Sequence, residues 1–160
     1  MDSNSTGYIE LNFGPRWKYI AVTRAFIQNF IAISIDDAER ADKVAMATSE
    51  LLENGVKYAS AEGTFIRLHV DPESKREINV VVENEATAEQ IAELQKMFDT
   101  VAEGDPLQTY VELMKQSALR DDGKSQLGLA RIRYETAGDL SLQIKDGHRV
   151  VITLQVKLEG

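Results

Sequence analysis

Glu50, Asn54 and Lys57 fall at i, i+4 and i+7 in the stretch Glu50-Leu51-Leu52-Glu53-Asn54-Gly55-Val56-Lys57-Tyr58-Ala59. On a helix that spacing lines up a carboxylate, an amide oxygen and an ammonium along one face. A proton acceptor beside a neutral oxygen ligand, with a cation one turn on, has the parts needed to handle a metal-bound phosphate. A plain amphipathic helix has a polar face too, so the triplet alone fits a solvated surface better than a site. Two residues add weight. Gly55 costs a helix interior about 1 kcal/mol relative to Ala, which implies close packing or a helix end. Asn54 is a poor helix former with no cap to make there.

A second candidate is Gly123-Lys124-Ser125-Gln126-Leu127-Gly128-Leu129-Ala130, where two glycines flank a small polar segment and a helix begins. Backbone N–H groups of such a loop, with the free N–H groups of the helix start, form an anion cradle. A surface turn with a helix cap would look the same. The third is Asn84-Glu85-Ala86-Thr87-Ala88, which reads as an Asx-type turn after a strand. His69 and His148 are isolated and read as structural, and no Ser/His/Asp arrangement has usable spacing.

The elements that must position these residues follow from periodicity. Tyr8–Phe13 alternates as a half-buried strand, stopped by Gly14-Pro15. A helix from Arg16 to about Ile33 follows, with Trp17 and Tyr19 near its start as core or interface anchors. A second helix, capped by Asp36 or Asp37, runs to about Ala59. Its arc of Val44, Ala45, Thr48, Leu51, Leu52 and Val56 faces a core. Strands are expected at Thr64–Val70 and Ile78–Val82, then a helix carrying Ile91, Leu94, Met97, Phe98 and Val101. Gly104-Asp105-Pro106 breaks it, and another helix runs through Tyr110 and Leu113 to about Leu119. After the Arg120–Gln126 loop comes a helix to about Glu135. Two alternating strands, Leu140–Ile144 and Val150–Val156, are joined at Asp146-Gly147, a strong hairpin signal. The order β-α-α-β-β-α-α-α-β-β predicts an α+β domain, with a mixed, mainly antiparallel sheet covered by helices on one face.

The 160 residues fit one domain, with 1–7 as an N-terminal tail. A net charge of −8 argues against nucleic acid or an anionic membrane surface as main partner. There are no cysteines, which excludes disulfides and thiolate metal sites. No stretch is apolar for a bilayer's width and no apolar signal core opens the chain, so a soluble cytoplasmic protein is expected.

Together, the Glu50…Asn54 helix, the strand leading to Asn84 and the Gly123…Gly128 loop resemble the GHKL ATPases. In that family an N-box helix carries Glu-x-x-x-Asn, a strand ends in Asp-x-Gly-x-Gly, and a glycine-rich lid ends in Gly-x-Gly-Leu-Gly-Leu. Ser49–Ala59 is similar to the N-box, and Ser125-Gln126-Leu127-Gly128-Leu129-Ala130-Arg131-Ile132 to the end of the lid. The entry from Tyr8 to Ile33 resembles that of the anti-sigma-factor serine kinases. The resemblance covers nearly the whole chain and implies a Bergerat-type ATP-binding fold, a two-layer α/β sandwich. It implies ATP and Mg²⁺, with Glu50 as general base and Asn54 as Mg²⁺ ligand. Lys57 would meet a phosphate, Asn84 would face the base, and Gly123, Lys124, Ser125, Gln126, Leu127, Gly128 and Leu129 would wrap the triphosphate.

The function implied is a Mg-ATP-dependent serine/threonine kinase of anti-sigma type. It would act on a small STAS-like domain or sigma-factor regulator in a signalling partner switch, and a homodimer with the N-terminal strand at its edge is allowed. The chain departs from the family at Asn84-Glu85-Ala86-Thr87-Ala88. An amide there accepts a hydrogen bond less strongly than the family's carboxylate, and two alanines narrow the approach to the base. Gln126 also replaces a lid glycine. The alternative is therefore a catalytically inactive protein-binding module that binds nucleotide weakly or not at all.

Overall fold

The computed structural model describes residues 7–13, 19–57, 63–72, 75–102, 104–118 and 127–158. Its elements are β1 (Gly7–Phe13), α1 (Ile20–Ile35), α2 (Ala38–Lys57), β2 (Thr64–Asp71), β3 (Glu77–Glu85), α3 (Ala88–Ala102), α4 (Pro106–Ala118), α5 (Leu127–Thr136), β4 (Asp139–Lys145) and β5 (Arg149–Lys157). The order is the one periodicity predicts. The five strands form one sheet in the order β1-β2-β3-β5-β4. Each neighbouring pair is antiparallel, so the described sheet holds no parallel pair.

The sheet's alternation decides which face is covered. Ile66, Leu68 and Val70 of β2, Ile78, Val80 and Val82 of β3, and Val150, Ile152, Leu154 and Val156 of β5 are all buried. Ile27 and Ile31 of α1, Leu51 and Leu52 of α2, Leu94 of α3 and Ile132 of α5 close over them in one core. α2 packs between α1 and α5, and α4 flanks α5. Arg67, His69, Ser141 and Gln143 lie on the open face. A sheet apolar on one side and polar on the other requires a single helical layer, and the result is the two-layer sandwich.

Local chemistry sets the boundaries. Asp37 caps α2, its carboxylate accepting the Arg40 N–H at 3.1 Å. Asp36 ends α1 in the left-handed region at φ 52°. Thr87 and Gln90 form a reciprocal capping box at the start of α3, with bonds of 3.2 and 2.9 Å. Asp105 caps α4 just ahead of Pro106. The β4–β5 hairpin turns through Asp146 (φ 54°) and Gly147 (φ 75°), the two positive φ values of a type I′ turn.

One boundary differs in a way that bears on the site. β3 does not stop at Val82. It continues through Asn84 and Glu85, which pair with Val150 and Arg149 of β5. A paired neighbour carries two poor strand formers that would leave a lone strand, so context outweighs propensity there. Trp17 and the Arg120–Gln126 loop lie outside the described residues. Gly7, expected in the tail, opens β1, and Tyr19 is 43% exposed and therefore not a core anchor. Among the described residues no helix is long and apolar enough to cross a membrane.

Candidate functional site

α2 is the spine of the site. Of its predicted inward arc, Val44, Ala45, Thr48, Leu51 and Leu52 are buried, Ala41 extends the arc by a turn, and the side chain of Val56 lies outside what is described. Thr48 returns its hydroxyl to the Val44 carbonyl at 2.8 Å and so adds no polar demand to the core. With that arc fixed, Glu50 and Asn54 stand half-buried at its margin, one turn apart.

Glu50 reaches α5. A β-carbon placed on Gly128 would lie 2.5 Å from Glu50 Oε2 and 3.4 Å from its Cδ. Gly128 is the second residue of α5, so the carboxylate rests against the backbone of that helix's first turn. A β-carbon there would push the carboxylate out of this position. The first and second candidate motifs therefore touch, through Glu50 and Gly128, which are 78 positions apart in sequence. Burial pushes the Glu50 carboxyl above its ordinary value, and the charge of Glu53 adds to the rise; Arg131 and Arg24 pull it back in part. Desolvation outweighs the two guanidinium groups.

Asn84 lies under the end of α2. Its side chain is 2% exposed, pointing inward in line with Val80 and Val82. Its Nδ2 donates to the Glu85 carbonyl at 3.3 Å, and its Oδ1 would be 3.7 Å from a β-carbon on Gly55. The Thr64 methyl and Val82 approach the same point at 3.5 and 3.6 Å. These are ordinary contacts, so Gly55 is not imposed by crowding. It lies near the C-terminal end of α2, which closes at Lys57.

Thr64 adds something new. Its side chain is fully buried, and its Oγ1 is the buried side-chain polar atom without a hydrogen-bond partner among the described residues. Such a group costs stability unless something bonds to it. Buried Thr64 and Asn84 both adjoin Gly55, Thr64 through its methyl and Asn84 through its Oδ1. Opposite, Ala86 is buried and its N–H bonds the His148 carbonyl at 2.9 Å.

The structure thus brings Glu50, Gly128, Asn54 and Asn84 to one end of α2. Lys57 is the last residue of α2, and its side chain lies outside what is described. Gly123, Lys124, Ser125 and Gln126 also lie outside the described residues. Leu127 opens α5, and Leu129 buries its side chain in the core, leaving its backbone as the part able to meet a phosphate.

The fold has a solved counterpart. One chain in the crystal structure of the SiaB–SiaC complex from Pseudomonas aeruginosa superposes with a TM-score of 0.68, covering 92% of this chain and 88% of that one at 15% identity. At that identity the likeness concerns the fold. No family model matches the sequence, and no curated protein matches it.

Sequence reasoning passed over two residues. Thr64 reads as an ordinary strand opener, though its place in the inward series Thr64, Ile66, Leu68, Val70 is the signal that its hydroxyl would be buried. Arg131 lies three residues after Gly128, on the same side of α5, and that spacing could have marked it as one of the two cations whose charge acts on Glu50.

Two observations fit a nucleotide with its metal. The Thr64 hydroxyl is buried without a hydrogen-bond partner among the described residues, and Gly128 leaves the first turn of α5 bare beside a carboxylate. Asn54 supplies a neutral oxygen of the kind Mg²⁺ prefers.

Proposed function

We propose that this protein is an ATP-binding regulatory protein that transfers the γ-phosphoryl group of ATP to a serine or threonine hydroxyl of a protein partner. The observation that carries this reading is the contact between Glu50 and the bare backbone of Gly128. It joins a proton acceptor to a helix start suited to phosphate. In the transfer, the partner's hydroxyl oxygen bonds to the γ-phosphorus, the bond to the β-phosphate oxygen breaks, and ADP leaves. The hydroxyl proton goes to Glu50. Its raised affinity for protons suits that role.

Asn54 would hold Mg²⁺ through its side-chain oxygen; the ion, when bound, would neutralise charge on the phosphates. Asn84 and Thr64 would face the base, and the Gly123–Gly128 segment with Lys57 would meet the phosphates. The partner would be a small STAS-like domain or sigma-factor regulator within a partner switch. The fold shared with a chain of a two-protein complex, SiaB–SiaC, supports a protein partner.

A second reading has its own observation. Ala86 is buried where the resemblance calls for a glycine, and the Asn84 amide is tied to the adjacent Glu85 carbonyl. Both favour a binding module in which the base niche has closed. Thermal unfolding with and without Mg·ATP separates the two, because a ligand bound only by the folded state raises the midpoint by mass action. No shift at millimolar nucleotide would reject the kinase reading. A shift with ADP formation that Glu50→Gln abolishes, while the thermal shift persists, would support it.

A further inference from the structure

β4 ends the sheet on the side away from β1, and among the described residues it pairs with β5 alone. Its outer row of backbone N–H and C=O groups is therefore a template for a further strand. Edge strands are ordinarily blunted by a proline, a bulge or a charge in mid-strand. β4, Asp139-Leu140-Ser141-Leu142-Gln143-Ile144-Lys145, has no proline and no charge between its two ends. Its register with β5 runs without a bulge. The opposite edge differs: β1 carries Glu10 at its centre, held to Arg67 of β2 at 3.3 Å.

The helix-facing side of β4 is also only partly covered. Leu140, Leu142 and Ile144 are half-buried, whereas their partners on β5, Leu154, Ile152 and Val150, are buried. Between β4 and α3 lie two adjoining cavities of about 190 and 410 Å³, both bordered by Phe98, Ala102 and Leu140. The first extends toward Gly138 and Asp139 and the second toward Ser141 and Leu142, so they follow one another along the strand. Alternate side chains of a strand point the same way, about 7 Å apart. A strand laid along β4 would offer alternate side chains to the two cavities while its backbone met the bare edge.

The lining sets the chemistry of the occupant. Phe98, Leu140 and Leu142 call for apolar side chains. Asp139 borders the first cavity and Asp99 the second, and both carboxylates are exposed. Among the described lining residues the cation is Arg133. Its guanidinium is already engaged, donating to the Val101 and Gly104 carbonyls at 2.7 and 3.0 Å. Two rim carboxylates with the local cation held by backbone favour a basic segment. A second copy of this chain, at −8, brings the wrong sign. We infer that the β4 edge binds an extended, basic and apolar segment of a protein partner, which joins the sheet beside β4 and seats alternate apolar side chains against α3. This inference does not depend on the nucleotide reading.

The test uses the end-capped, fluorophore-labelled peptide Lys-Val-Thr-Val-Thr-Val-Lys. Hydrogen exchange read by mass spectrometry should slow over residues 139–145 when the peptide is added, and stay unchanged over residues 7–13 of β1. Fluorescence anisotropy should show saturable binding, at least about tenfold weaker for the same peptide ending in glutamates. Reversing both exposed charges, Asp99→Lys with Asp139→Lys, should weaken binding of the lysine peptide by a similar factor. Ala102→Arg, at an exposed position bordering both cavities, should do the same by filling them, with an unaltered urea midpoint. Unchanged exchange over residues 139–145 at millimolar peptide would overturn the inference. Slowed exchange at β1 instead, equal binding of the glutamate peptide, or indifference to Ala102→Arg would overturn it too. Protection of residues 139–145 that rises with protein concentration, without peptide, would give the edge to a second copy and equally overturn it.

Discussion

Gly128→Ala isolates the contact on which the functional reading rests. The backbone there is ordinary helix, so alanine brings no positive-φ strain, and its helix propensity favours the folded state by at most about 1 kcal/mol. The new β-carbon would stand 2.5 Å from Glu50 Oε2. Non-bonded atoms settle near 3.5 Å, so the carboxylate must retreat by about 1 Å. The atom that moves is the far end of a flexible side chain, and holding it off its preferred rotamer costs about 0.5–1.5 kcal/mol. The two terms nearly cancel. Stability should remain within about 1 kcal/mol of wild type.

Activity should not be spared. A misplacement of about 1 Å in a reacting group can slow a step about 100-fold. Urea unfolding measures the first quantity, and ADP release from Mg·ATP in the presence of the protein partner measures the second. The expected signature is a stable protein with transfer reduced about 100-fold and nucleotide-induced thermal shift retained. Undiminished transfer would refute the assignment of Glu50 as proton acceptor. A loss of several kcal/mol in stability would refute the claim that Glu50 can yield.

Glu50→Gln should stabilise the protein at neutral pH. Because the folded state raises this carboxyl's affinity for protons, ionising it works against folding; the penalty is absent at low pH and grows as pH rises through the ordinary carboxylate range and the raised value above it. Urea midpoints taken from mildly acidic to neutral pH should converge at the acidic end, and a constant difference would contradict this. Glu77 runs the other way: its hydrogen bonds from Lys157 and Asn79 hold its carboxyl below the usual value, so its contribution is present above that range and lost on acidification, and Glu77→Gln should flatten the acid limb of a stability–pH profile. Thr64→Val should raise stability by about 1–3 kcal/mol by removing a buried hydroxyl without a partner, and weaken Mg·ATP binding if the niche holds the base; calorimetric titration measures the second effect. Gly55→Ala should stabilise by up to about 1 kcal/mol, because its β-carbon would find contacts of 3.5–3.7 Å. A destabilised variant in urea would mean the end of α2 is tighter than those distances.

Element order was legible because nearly every segment here has a clean period. The inward arc of α2 and the alternating β2, β4 and β5 need no tertiary information to be read. The end of β3 was not legible, since Asn84 and Glu85 are poor strand formers and only β5, about sixty-five residues later, holds them in the ladder. The site divides along the same line. Glu50 and Asn54 share one helix, so spacing alone finds them. Their meeting with Gly128 is a packing result, and Thr64 becomes notable only once its hydroxyl is known to lack a partner. Tyr19 illustrates the limit on aromatics: sequence could not choose between core and interface, and its exposure removes the first.

The two halves of the site are constrained by different kinds of force, and this bears on whether the protein turns over ATP. The Glu50–Gly128 contact is costly to keep for structure alone. It holds a carboxylate in a partly desolvated place against its own preference, and it spends a glycine in the first turn of a helix. A chain selected only for folding would relieve both with Gln and Ala, and each change is expected to be neutral or favourable for stability. The base niche is under the opposite pressure. Ala86 fills space and caps the sheet end through its bond to His148, so it improves the fold while narrowing access. Stability therefore explains the alanine and does not explain the glutamate beside the glycine. A feature that folding would discard is one that the proposed transfer would retain, and on that proposal loss of affinity for the base, rather than loss of transfer, is the expected consequence of the altered box.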